Sequence, residues 1–127
     1  MLNAKKDRLL CVRGNCDAEV DQMVLDFPIM ADYALLPLGK RVIFVTHGHL
    51  FGEENVPPLQ RGDILLCGHT HVPKCTDHEM YCYLNPGSVS IPKEHSAHGY
   101  MTLEGSCFTW KNLEGDVLQI YEVPEAL

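Results

Sequence analysis

The chain has 127 residues, 46% hydrophobic and 21% charged, which is material for one core and one domain. Ten basic against seventeen acidic residues give a net charge of −7, which argues against a nucleic-acid backbone as partner. No apolar run reaches transmembrane length, no Cys-x-x-Cys pair marks a zinc ribbon, and "MLNAKKDRLL" lacks the apolar core of a signal peptide, so a reduced, cytoplasmic setting is expected.

In chain order, "RLLCVR" (8–13) is a short apolar run ending at Gly14 and reads as a buried strand. "DAEVDQMVLD" (17–26) reads as a short helix with Asp17 near its start. "YALLPL" (33–38) and "RVIFVT" (41–46) flank Gly39-Lys40 and predict a hairpin. Residues 47–62 hold three glycines and two prolines, the mark of a long irregular loop. "DILLCG" (63–68) has little alternation, as expected of a strand covered on both faces. "KCTDHEMYCYL" predicts a hairpin pivoting near Asp77–Glu79, and "NPGS" (85–88) a turn. "GYMTLE", "SCFTWKNL" and "DVLQIYEV" then predict a meander with turns at Gly105 and Gly115. Strands dominate, and no repeat or low-complexity tract interrupts them.

Chemistry concentrates at the ends of these runs. Four of the seven histidines form two His-x-His units: His47 and His49 after "RVIFVT", His69 and His71 after "DILLCG". Loops at strand ends are where open sheets place their sites. Glycine beside each pair lets the backbone turn tightly, and neutral imidazole suits zinc, manganese and iron. "RLLCVR" ends likewise in "GNCD", which offers Asn15 and Asp17 as oxygen donors. Turns rich in histidine are the plain alternative, but three such ends favour a metal site. His78, His95 and His98 read as surface residues, Glu53 and Glu54 as a solvated loop with lining of the cleft as the alternative, and Trp110 with Phe108 as packing. Asn85 and Gly87 are expected to shape a turn beneath the site.

In order, "RGNCD", "THGHLFG", "GHTHVP" and "NPGSVSIPK" resemble the calcineurin-like metallophosphoesterases, nearest to small bacterial phosphodiesterases of the YfcE type. The resemblance implies an α/β fold: the strand-rich C-terminal two-thirds of a four-layer αββα sandwich, with residues 1–127 as a single, incomplete domain. It implies hydrolysis of small phosphate esters at a two-metal centre, where the ions activate a bridging hydroxide for in-line attack. Asn15, His47 and His69 would bind one ion and His71 the other. The divalent metal expected first is manganese, with zinc, nickel or iron as alternatives. His49 would face the phosphate. Cys16 stands where many relatives carry a histidine that assists the leaving group, and a packing role for it is equally expected. Asp17 would hold its loop rather than act as base. Arg13, and more weakly Lys93, could reach a phosphate.

The family's Asp-x-His and Gly-Asp motifs, which supply a bridging carboxylate, are absent; Asp7 is the single acid before Gly14. A fragment truncated at an internal Met, weak binding of at most one ion, and impaired activity are therefore expected. So is self-association, or pairing with a second polypeptide. A non-catalytic scaffold of the same fold, as in the small subunit of retromer, is the alternative function. A mononuclear zinc site of His47, His69 and His71 is a third.

Overall fold

The computed structural model describes residues 1–125. A 3-10 segment, Leu2–Arg8, precedes a single α-helix, α1 (Glu19–Val24), whose first turn is held by Asp21 Oδ2 accepting from the Ala18 amide at 2.9 Å. Five strands form the larger sheet: β1 (Tyr33–Leu38), β2 (Arg41–Thr46), β3 (Asp63–Leu66), β4 (Lys74–Asp77) and β5 (Tyr81–Asn85), in the order β1-β2-β3-β5-β4. β2, β3 and β5 run parallel at its centre, with antiparallel β1 and β4 outside. The smaller sheet is the antiparallel meander β6 (Gly99–Glu104), β7 (Cys107–Asn112) and β8 (Val117–Glu122).

Parallel central strands must hide both faces, and their side chains alternate accordingly. Ile43, Ile64, Cys82 and Leu84 point one way and meet Phe108 and Trp110 of the second sheet and Val123, just after β8. Phe44, Leu65, Cys67, Tyr81 and Tyr83 point the other way, where Phe51 and Leu59 of the 47–62 loop cover them. That loop thus does the work a crossover helix does elsewhere. Its register is set partly by buried Asp63, whose carboxylate accepts from the Val42 and Gln60 amides at 2.9 and 2.8 Å.

The two sheets supply the central layers of the expected sandwich, and α1 is its short helical contribution among the described residues. Helix α1, the β1–β2 hairpin, the β4–β5 hairpin and the meander lie where the periodicity places them. The 8–13 run is a correction. Residues 9–13 are extended but pair with no strand among the described residues, and Leu10 is 64% exposed. Its apolar composition gives the propensity for a strand; a ladder also needs a neighbour. No helix among the described residues is long and apolar enough to cross a membrane.

Candidate metal centre

The parallel strands deliver their carboxyl ends to one rim. β2 ends into His47-Gly48-His49 and β3 leads through Cys67-Gly68 into His69-Thr70-His71. The Gly68 amide donates to the His47 carbonyl at 2.9 Å, tying the two turns together. Gly48 makes the approach feasible: at φ 119°, any Cβ there would stand 3.1 Å from His69 Cβ. His69 and His71 themselves sit at φ 64° and 63°, in the left-handed region that costs a non-glycine residue about 1 kcal/mol or more. The surrounding turn holds them there.

Beneath them lies Asn85, 0% exposed. Its amide nitrogen donates to the Gly68 carbonyl at 2.8 Å, and to the Thr70 and Tyr83 hydroxyls at 3.1 Å each. Its Oδ1 accepts from the Gly87 amide, and its carbonyl accepts from Trp110 Nε1 at 2.8 Å. The turn expected at Asn85 and Gly87 is therefore the floor of the histidine rim.

Asn15 arrives from the other side. The Gly14 amide donates to Asp17 Oδ2 at 2.7 Å, closing the turn that presents Asn15. Asn15 Oδ1 lies 2.9 Å from His47 Nε2, and His69 Nδ1 lies 3.2 Å from the same nitrogen. An amide oxygen carries no hydrogen, so His47 Nε2 must donate, and His69 Nδ1 faces that same N–H. One proton serves two acceptors. A cation in its place would turn all three atoms into ligands, and two imidazoles with an amide oxygen suit a divalent transition ion. Burial, reinforced by charge on neighbouring His69 and His49 and opposed by Asp17, lowers the His47 pKa and keeps its lone pair available.

The fit extends to one ion. His71 stands apart from this cluster, with Nδ1 donating to the Ile91 carbonyl at 2.7 Å, which leaves Nε2 as its lone-pair nitrogen. Among the described residues no three His, Cys, Asp or Glu side chains converge as a ligand group. The mononuclear set of His47, His69 and His71 is not assembled either. The remaining candidates ring the cluster. The His49 ring lies 5.2 Å from that of His47, and its Nδ1 is buried without a partner. Arg13 Nε is likewise buried and unpartnered, and Cys16 is exposed, with its sulfur 3.7 Å from Asn15 Nδ2.

The solvated-loop expectation for Glu53 is corrected, while His78 is exposed as expected. Glu53 is no freely solvated loop residue: its carboxylate pairs with Lys74 Nζ and His78 Nε2, each at 2.6 Å. His78 is thereby tied down, and its ring stacks on Tyr81 at 4.7 Å. No local spacing announces this trio, because Glu53 lies 21 positions before Lys74 and 25 before His78.

The calcineurin-like phosphoesterase superfamily domain matches residues 1–106. The chain belongs to that superfamily. It is 48% identical over 103 residues to phosphodiesterase YfcE of Escherichia coli K12, covering 81% of this chain and 56% of that protein. It is 31% identical over 107 residues to a probable metallophosphoesterase, YsnB, of Bacillus subtilis, covering 77% and 59%. The chain thus spans little more than half the length of these relatives. The solved structure of the E. coli YfcE phosphoesterase superposes with a TM-score of 0.92 at 40% identity, over 97% of this chain and 68% of that one. Vps29 from Chaetomium thermophilum shares the fold alone, with a TM-score of 0.52 at 18% identity over 89% and 67%.

Proposed function

We propose that the protein hydrolyses phosphate esters, phosphodiesters in particular, at the rim where Asn15, His47 and His69 meet. The observation that carries this reading is the convergence of Asn15 Oδ1 and His69 Nδ1 on His47 Nε2. When bound there, a divalent ion supplies Lewis-acid polarisation of a phosphoryl oxygen. Manganese is the first choice, with zinc, nickel or iron as alternatives. The chain's own residues then have separate tasks. Asn15, His47 and His69 hold the ion. His71 offers Nε2 to a second ion. His49, whose Nδ1 lacks a partner, donates a hydrogen bond to a phosphate oxygen. Arg13 is the weaker candidate for the same task. Cys16, exposed at the mouth, gives a proton to the departing alkoxide.

A non-catalytic scaffold of the same fold is the alternative reading, and one experiment separates the two. Turnover of bis(p-nitrophenyl) phosphate is measured with added Mn²⁺, beside metal binding by calorimetry. The enzyme reading expects at most one weakly bound equivalent and low turnover that disappears in His47→Ala. Metal binding without turnover leaves the scaffold.

A further inference from the structure

A cavity of about 410 Å³ opens beside the histidine cluster, between the 48–55 turn and the ends of β3 and β5; its lining includes His49, Phe51, Glu53, Glu54, His69 and Tyr83. We propose that this cavity is the subsite for the organic group of the phosphoester, and that it selects an uncharged ring. The proposal rests on the phosphoesterase reading for its biological use, but its test does not need turnover.

Position comes first. His49 and His69 form one end of the cavity, so an ester whose phosphate lies at the histidines directs one substituent inward. The volume exceeds the roughly 150 Å³ that suffices for a single aromatic ring. Both aromatic walls are fixed before anything binds. Phe51 stands edge-on to Phe44 at 5.7 Å, and Phe44 is itself stacked on Tyr33. Tyr83 is 4% exposed, its hydroxyl engaged by Asn85 and its ring lying under Lys74 Nζ at 5.5 Å. Rigid aromatic walls favour a ring that stacks edge-on or offset.

Charge sets the selection. Glu53 is matched by Lys74 and His78, while Glu54 forms no ion pair among the described residues. An anionic substituent therefore meets an uncompensated carboxylate. Glu53 itself acts as a positioning residue. The 48–55 turn is pinned internally by the mutual Gly52 and Asn55 bonds and by Asn55 Nδ2 on the Leu50 carbonyl. Glu53 is the clamp that ties this roof to Lys74 on β4 and to the turn after it.

The test is a titration of the ¹⁵N-labelled chain, followed by NMR, with phenol, 4-hydroxybenzoate and inorganic phosphate as probes. Phenol is expected to shift the amides of Gly52, Glu54 and Gly68, whereas inorganic phosphate leaves Glu54 unmoved. A like charge near Glu54 should weaken 4-hydroxybenzoate about fivefold against phenol, and Glu54→Gln should remove most of that difference. Glu53→Gln should weaken phenol about threefold, with a dispersed spectrum retained. Discrimination restored by Glu54→Gln is a readout that a merely structural loop would not give. The proposal is overturned if phenol at about 10 mM shifts nothing here, or shifts instead the residues of the second cavity, lined by Arg41 and Tyr121 among others. Equal affinity for the two rings overturns the selection, and unchanged phenol affinity in Glu53→Gln overturns the clamp. Ring binding without ester turnover would instead count against the phosphoesterase reading alone.

Discussion

Asn15 and His47 lie 32 positions apart, and their Oδ1 and Nε2 atoms stand 2.9 Å apart. The turn that presents Asn15 is closed by the Gly14 amide donating to Asp17 Oδ2 at 2.7 Å. His47 Nε2 is also the atom His69 faces, so it is the hub of the cluster. Removing it with His47→Ala should cost about a hundredfold in divalent affinity, the upper range for disturbing a metal's ligand environment. His71→Ala should cost far less, because His71 is bound to Ile91 outside the cluster. Calorimetric titration with Zn²⁺ compares the two. Equal losses would mean that the ion does not sit between Asn15, His47 and His69.

Asn85 makes a separable prediction about stability. Its side-chain nitrogen serves three acceptors in a fully buried position. Asn85→Ala leaves the Gly68 carbonyl and the buried Tyr83 hydroxyl without their donor, and each unsatisfied buried group costs about 1–3 kcal/mol, whereas the exposed Thr70 hydroxyl can turn to water. Thr70 and Tyr83 keep some freedom to rotate, so the expected net loss is about 3 kcal/mol. Urea unfolding reads this as a lower midpoint at unchanged slope. A loss below about 1 kcal/mol would show that neighbouring groups re-pair.

Much of this was legible in the sequence because the governing contacts are local. The strands alternate or run apolar according to how many faces they bury, and glycine marks the positive-φ turns at Gly39, Gly105 and Gly115. The His-x-His units sit at the ends of β2 and β3, as their spacing implies. Illegible were the contacts between distant segments. "RLLCVR" has the composition of a strand, yet no residue in it reveals whether a partner strand lies alongside. His69 and His71 look equivalent in "GHTH", but only His69 turns towards His47; the Ile91 carbonyl draws the other ring away. Glu53 looks like one more loop acid until β4 places Lys74 beneath it.

The Glu53 clamp carries a pH signature. Partial burial raises its carboxyl pKa, but bonding to Lys74 and His78 outweighs this and leaves the pKa below the ordinary carboxylate value. A depressed carboxyl contributes stability that is present above its unfolded pKa and lost as pH falls through its folded pKa. The wild type should therefore exceed Glu53→Gln in stability at neutral pH, and the gap should close as the solution is acidified below pH about 4. The same interaction raises the Lys74 pKa, so it is counted once. Thermal melts of both proteins across the acid range check it. A gap that persists unchanged at acid pH would assign the effect to packing.

The cysteines should divide by burial. Cys16 is exposed, whereas Cys67 and Cys82 are buried. Desolvation pushes both buried thiols up to about 12, helped at Cys67 by the nearby Glu53 charge and opposed at Cys82 by a bond from Tyr121. The thiolate is the nucleophile, so at pH 8 a pKa near 12 leaves about one buried thiol in ten thousand reactive. Iodoacetamide should label Cys16 within minutes, and label Cys67 and Cys82 only after urea has unfolded the sheet. Peptide mapping by mass spectrometry reads the order. Early labelling of Cys67 would mean that the 47–62 loop lifts from the outer face of the sheet, since Phe51 and Leu59 of that loop cover its cluster. The same measurement repeated with Zn²⁺ reports on the site. A metal held by Asn15 should slow alkylation of its neighbour Cys16 and leave the two buried thiols unchanged.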